Sequence, residues 1–222
     1  MMARCHPDGD ALYVAAVLFD LDGTLIDSLA ATEKAWNRWA IEFDIDMPPI
    51  VHGVTAKHRV DQLLPPPSRE RALLRIDELE LEILDGIALT EGSTALLSRI
   101  PRQQWAIVTS CSPQLASARM RAATLAPPPT IVTAADVVHS KPSPEGYLAA
   151  AAALGVDPAD CLVIEDAPAG LHAGSAAGCW TIGVTQPNSH DELDATYVVG
   201  SLGQIRATSE PRGIRINVGT RG

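Results

Sequence analysis

Apolar positions along the chain arrive in two rhythms. Residues 12–19 (LYVAAVLF) form a nearly unbroken apolar run, which predicts one strand buried on both faces, the kind found inside parallel sheets. Shorter runs predict further strands at 106–108, 130–133, 162–164, 181–184 and 197–199, with helical segments between most of them. The helix starts carry their own signals. Ser112-Pro113 and Ser143-Pro144 each set a hydroxyl ahead of a proline suited to the first helical position, and Gly155 and Gly178 stand where helices stop in a left-handed residue. Alternating strands and helices predict an α/β fold with a parallel sheet flanked by helices. Open sheets of this kind take their ligands beyond the carboxyl ends of the strands.

Residues 28–86 break the alternation. Ser28 opens an amphipathic helix with Leu29, Trp36, Trp39 or Ala40, and Phe43 on one side. After Pro65-Pro66-Pro67 a second helix is expected from Ser68, with Leu73, Ile76, Leu79 and Ile83 at helical spacing and Glu70, Asp77, Glu78 and Glu82 on a solvated face. The stretch reads as an all-helical insertion: 28–86 forms one unit, and 1–27 with 87–222 forms a discontinuous core. The tail after Thr208 is weakly patterned and predicts nothing.

Charge narrows the partners. The 222 residues carry 17 Lys+Arg against 27 Asp+Glu, a net charge of −10 that repels phosphate backbones and argues against nucleic acid. An anionic small molecule remains open, because local cations and a metal can outweigh the overall field. No apolar run is long enough to span a bilayer, and the first residues lack a secretory or transit pattern, so a cytoplasmic protein without a membrane partner is expected. Cys5, Cys111, Cys161 and Cys179 show no metal-ligand spacing and read as free thiols.

Candidate chemistry sits at the ends of the predicted strands. In FDLDGTLID, Asp20 and Asp22 lie two apart, so in extended backbone both carboxylates face one spot, and Gly23 lets the chain turn away. Two close carboxylates repel each other unless a cation offsets the charge; Mg2+ suits such a site, while a helix cap or solvated turn is the plainer alternative. In AIVTSCS, Thr109 and Ser110 precede a capped helix start, where hydroxyls and backbone N–H groups bind anions. In HSKPSPEGY, Lys141 is held against Pro142. In LVIEDAPAGLHAGSAAG, Glu165 and Asp166 again end an apolar run, and Gly170, Gly174 and Gly178 recur at a spacing that suits close packing of a helix on the sheet.

Each signal is weak alone, but their order and spacing resemble the haloacid dehalogenase superfamily, in particular its phosphatases with a helical cap. DLDGTLID looks like the first family motif, VTS the second, Lys141 in SKPSPEGY the third and IEDAPAG the fourth. Ser140 stands where many members have glycine. The wording EDAPAG, with His52-Gly53 in the insertion, is most similar to sugar-phosphate and glycerol-phosphate phosphatases. The resemblance implies a Rossmann-like core with a cap. It also implies a Mg2+ cofactor, a monomer, and a small phosphorylated sugar or polyol hydrolysed through a phospho-aspartate. Asp20 would be the nucleophile and Asp22 the general acid and base. Asp20, the Asp22 carbonyl and Asp166 would hold the metal, with Glu165 direct or through water. Ser110, alternatively Thr109, and Lys141 would hold the phosphoryl group, with backbone N–H groups near Leu21 and Cys111. His52, Gly53, Lys57, His58 and Arg59 are the cap candidates for substrate contact, although 57–59 read equally as a solvated helix start. Asp27 and Ser28 are expected to form the hinge and to cap the first inserted helix. A mutase of the β-phosphoglucomutase type is the alternative reading, and a non-catalytic phosphosugar-binding protein a further one.

Overall fold

The second half of the first apolar run is the centre of the molecule. In this computed structural model, which describes residues 11–46, 48, 55–185 and 193–219, the run is two strands, β1 (Ala11–Val14) and β2 (Ala16–Phe19). The expected single strand bends at Ala15 and serves two sheets. β2 lies inside a six-stranded sheet with β5 (Trp105–Val108), β6 (Thr130–Val132), β7 (Cys161–Glu165), β8 (Trp180–Val184) and β9 (Tyr197–Val199), in the order β6-β5-β2-β7-β8-β9. Every pairing in it is parallel. Alternate residues feed two cores: Val17, Phe19, Ile107, Leu162 and Ile164 join one, Ala16, Leu18, Ala106, Val108 and Val163 the other. With both faces covered, these strands have no polar side to show in the sequence.

The helices flanking the sheet are α4 (Ser93–Leu97), α5 (Pro113–Ala122), α6 (Glu145–Leu154) and α7 (Pro168–Ala176). Ser112 caps α5 as expected, its hydroxyl accepting from the Leu115 N–H. Ser143 accepts from the Glu145 N–H, so α6 begins just after its proline rather than on it. Gly155 (φ 71°) ends α6, and Gly178 (φ 86°) follows α7.

Among the described residues, three helices lie between β3 (Ile26–Asp27) and the return through β4 (Ala88–Leu89): α1 (Leu29–Phe43), α2 (Ala56–Leu63) and α3 (Pro66–Glu82). α3 starts at Pro66, two positions before the expected Ser68, because prolines are tolerated in a first turn whose N–H groups have no helical partner. α2 matches the alternative reading of 57–59 as a helix start: it begins at Ala56, and the Thr55 hydroxyl accepts from the His58 N–H. Trp36 and Trp39 pack edge to face at 5.2 Å, and the Trp39 indole donates to the Ala72 carbonyl at 2.9 Å, binding α1 to α3. β3 and β4 pair antiparallel, so the chain leaves and re-enters the core side by side.

The tail is ordered into β10 (Ile205–Glu210) and β11 (Gly213–Val218), an antiparallel hairpin that joins β1 in a second sheet, β1-β11-β10. Cys111, Cys161 and Cys179 are free thiols. No helix among the described residues is long and apolar enough to cross a membrane.

Candidate active site

Strand register assembles the site. Phe19 of β2 lies beside Ile107 of β5 and Ile164 of β7, so the residues just past these strands meet at one edge of the sheet. Asp20, Glu165 and Asp166 are all buried there, each offering a carboxylate oxygen within 4.8 Å of the others. Gly23 (φ 90°) makes the sharp turn that follows, and an added Cβ would stand 2.1 Å from Asp166 Oδ2, so only glycine lets the loop pass the carboxylate.

Lys141 is the cation among them. Its amine bonds Asp20 Oδ1, donates to Glu165 Oε1 at 2.7 Å and reaches the Val108 carbonyl at 3.0 Å. Burial opposes its charge, but Asp20 and Glu165 outweigh that and hold the amine well above the usual lysine range. The acids respond in kind. Burial pushes Asp20 up to about 8 against the pull of Lys141, and burial together with Glu165 and Asp20 raises Asp166 well above the ordinary carboxylate range. In the protein alone these carboxyls therefore favour the protonated form, and an added cation would return them to carboxylates.

Glu165 is fully engaged. Besides Lys141, its Oε1 accepts from the Tyr147 hydroxyl at 3.1 Å, and its Oε2 accepts from the N–H groups of Asp166 and Ala167 at 2.9 and 3.0 Å. The first glycine of the four-residue spacing makes room for it: a Cβ on Gly170 would fall 1.7 Å from Glu165 Oε1, and one on Gly174 would fall 3.0 Å from Val163. Gly170→Ala is expected to cost about 1–3 kcal/mol through overpacking, read as a lowered midpoint in urea unfolding; an unchanged midpoint would show that Glu165 has room to move.

Asp22 does not share the Asp20 cluster. Its Oδ1 accepts from the Ser28 hydroxyl at 2.6 Å and pairs with Arg119 at 2.9 Å, while its Oδ2 accepts from the Cys111 thiol at 3.0 Å. The Ser28 hydroxyl is thereby spent on Asp22, and the first N–H of α1, that of Leu29, is taken by Asp27 Oδ1 at 3.2 Å. Thr109 and Ser110 also separate. Thr109 Oγ1 accepts the Cys111 N–H at 3.1 Å, which engages that backbone donor, whereas the buried Ser110 hydroxyl has no partner among the described residues.

Asp20, Asp22, Thr109 and Ser110 open into a cavity of about 450 Å³ roofed by the inserted helices. Arg59 lines it, buried, with its guanidinium 4.9 Å from the centre of the Trp36 ring. Lys57 also lines it, though its side chain is largely exposed and paired with Asp61. His58 is exposed, 2.9 Å from Gln62, and does not line the cavity. His52 and Gly53 lie outside the described residues. Four participants escaped the sequence reading: Tyr147, Thr24 (whose hydroxyl donates to Asp166 Oδ1 at 3.4 Å), Arg119 and Glu80. The last two left a signal, since each interrupts an apolar helix face with a charge: Leu115, Ala116, Ala118 and Met120 around one, Ile76 and Leu79 around the other. A charge in such a place needs a buried partner.

Known proteins resemble this chain in sequence and in fold. Residues 14–178 match the family described as haloacid dehalogenase-like hydrolase. The chain is 40% identical to hexitol phosphatase A of Escherichia coli K12, over 88% of this chain and 95% of that one. It is 32% identical to 2-deoxyglucose-6-phosphate phosphatase 1 of Saccharomyces cerevisiae, over 90% and 94%. The structure of CbbY from Rhodobacter sphaeroides in complex with phosphate superposes with a TM-score of 0.72 at 26% identity, covering 86% of this chain and 96% of that one.

Proposed function

The chain belongs to the haloacid dehalogenase-like hydrolases, and from that premise we propose that it is a Mg2+-dependent phosphatase of small phosphorylated sugars or polyols, acting through a phospho-aspartate on Asp20. The observation that carries this reading is the meeting of Asp20, Glu165 and Asp166 at adjacent strand tips with the amine of Lys141 between them. The donors are all oxygens, as Mg2+ prefers. Glu165 already accepts from Lys141, Tyr147 and two backbone N–H groups, so Asp20 and Asp166 are the side chains that would bind the ion directly, with the Asp22 carbonyl. When bound, the ion supplies charge neutralisation for the transferring phosphoryl oxygens.

The chain's own residues account for the rest. An Asp20 oxygen attacks phosphorus as the bond to the substrate alcohol breaks, and the departing oxygen takes a proton from Asp22. A water then attacks the same phosphorus, giving its proton to Asp22, and the P–O bond to Asp20 breaks to release phosphate. Lys141 and the Ser110 hydroxyl hold the phosphoryl oxygens as charge spreads over them. The inserted helices close the cavity and exclude water. By the names of these two relatives, the substrate is a hexitol phosphate or a phosphorylated sugar such as 2-deoxyglucose 6-phosphate.

The test is phosphate release from a panel of hexitol phosphates, 2-deoxyglucose 6-phosphate and glycerol 1-phosphate, with Mg2+ and with EDTA. Turnover that needs Mg2+ is expected, and undiminished turnover in EDTA would overturn the metal reading. NMR of the same incubations separates hydrolysis from isomerisation: an isomerised phosphohexose without free phosphate would replace the phosphatase by a mutase.

A further inference from the structure

Arg119 makes more contacts between separate elements than any role as a packing residue needs. It lies in α5, is 5% exposed, and its one guanidinium reaches two helices and the two loops that follow β2 and β5. Nη1 pairs with Asp22 Oδ1 at 2.9 Å and contacts the Cys111 sulfur at 3.4 Å. Nη2 donates to Thr32 Oγ1 of α1 at 2.8 Å and to Glu80 Oε1 of α3 at 3.1 Å. Burial alone would weaken the charge on Arg119, but Asp22, Cys111 and Glu80 outweigh it and keep the guanidinium protonated. The Cys111 thiol, raised by burial and by Asp22, stays protonated and donates to Asp22 Oδ2.

A buried charge cluster of this kind is a poor way to gain stability, since well-packed apolar residues do as well or better. What a guanidinium fork adds is direction, fixing two acceptors relative to each other. Here the two acceptors are a carboxylate of the catalytic loop and a carboxylate of the inserted helices. Asp22 has no other charged partner among the described residues, because Lys141 is spent on Asp20 and Glu165.

We propose that Arg119 is a positioning residue for Asp22, fixing that carboxylate at the cavity wall and tying its placement to Glu80 and Thr32 on the inserted helices. The proposal rests on the reading of Asp22 as the acid that protonates the departing alcohol. On that reading, the proton reaches the alkoxide efficiently only while α1 and α3 are seated against α5, so leaving-group protonation is coupled to closure over the substrate.

Leaving-group chemistry provides a readout that simple loss of structure would not move. A sugar or polyol oxygen needs a proton as it departs, whereas p-nitrophenolate leaves without one. The ratio of kcat/KM for the fastest alkyl phosphate of the panel to that for p-nitrophenyl phosphate, in Mg2+, therefore reports acid catalysis. Asp22→Asn is expected to lower this ratio about 100-fold or more. Arg119→Met is expected to lower it at least about 10-fold, with Arg119→Lys retaining part of it and Glu80→Gln shifting it in the same direction. Equal losses on both substrates in Arg119→Met, alongside a shifted ratio in Asp22→Asn, would overturn the positioning role and leave the phosphatase reading standing. An unshifted ratio in Asp22→Asn would remove the acid reading itself. Should Arg119→Met not fold, Arg119→Lys decides: a wild-type ratio in it overturns the proposal. A wild-type ratio in Glu80→Gln overturns the tie to the inserted helices.

Discussion

Asp20→Asn is expected to reduce phosphate release by about four to six orders of magnitude, because an amide cannot attack phosphorus and no neighbouring group can take its place. Glu165 is saturated by Lys141, Tyr147 and two backbone donors, and Asp22 is held by Arg119, Ser28 and Cys111. The substitution should fold well. Burial already pushes Asp20 up to about 8, so the pocket favours a neutral group there, and Lys141 keeps its Glu165 partner. The checks are phosphate release in the presence of Mg2+ and thermal unfolding. Turnover within tenfold of the wild type would remove Asp20 as nucleophile, and a collapse of the unfolding temperature would show that its charge is structural.

Lys141→Met should damage stability and rate together. Its amine is the only cation within bonding distance of Asp20 and Glu165 among the described residues, and the side chains on both sides are buried. Removing one partner of a buried ionic cluster costs about 3–5 kcal/mol, here because the buried Glu165 loses its cationic partner. In a chain of this length that corresponds to a fall of roughly 6–20 °C in Tm. The rate should also fall by about 10²–10³, the usual loss when one preorganised donor to the developing oxyanion is removed. Added Mg2+ should return part of the stability and little of the rate, since it can neutralise the carboxylates but does not replace the amine at the phosphoryl oxygens. A variant with wild-type Tm would mean that the pocket does not need the charge of the amine, and the electrostatic account of it would fail.

The parallel sheet could be read from the sequence because burial on both faces leaves its strands as plain apolar runs, and the acidic residues that end those runs mark the ligand edge. Short or locally ambiguous elements were harder. Nothing at Ala15 punctuates the run 12–19, so the bend that divides it between two sheets left no trace. Helix α2 spans eight residues, four of them Lys57, His58, Arg59 and Asp61, too polar to show a clear stripe. The hairpin of β10 and β11 did carry a signal: Ile205 and Ala207, then Ile214 and Ile216, alternate inward on either side of a Pro-Arg-Gly turn. Within the site, sequence brought forward Asp20, Glu165, Asp166 and Lys141, which meet. It also paired Asp22 with Asp20 on the strength of their spacing. Both residues line the same cavity, but Asp22 turns its carboxylate to Arg119 rather than into the cluster of Asp20, Glu165 and Asp166.

The β1-β11-β10 sheet has a consequence for how the molecule is made. Ala11 pairs with Asn217 and Val14 with Ile214, so the earliest described strand waits for the latest one. On a ribosome, residues 11–14 emerge long before 213–218, and until then β1 has no strand partner among the described residues and is an edge exposed to other nascent chains. Closing so long a loop is slow and carries its entropy cost late. Only Ala15 separates that strand from β2, which leads directly into Asp20, and Gly213 fits against the Val14 carbonyl so closely that a Cβ would stand 2.5 Å from it. The nucleophile's strand is thus anchored at its far end by a seam that cannot zip until residues 213–218 have been made, so catalytic competence waits on a segment some two hundred residues further along the polypeptide.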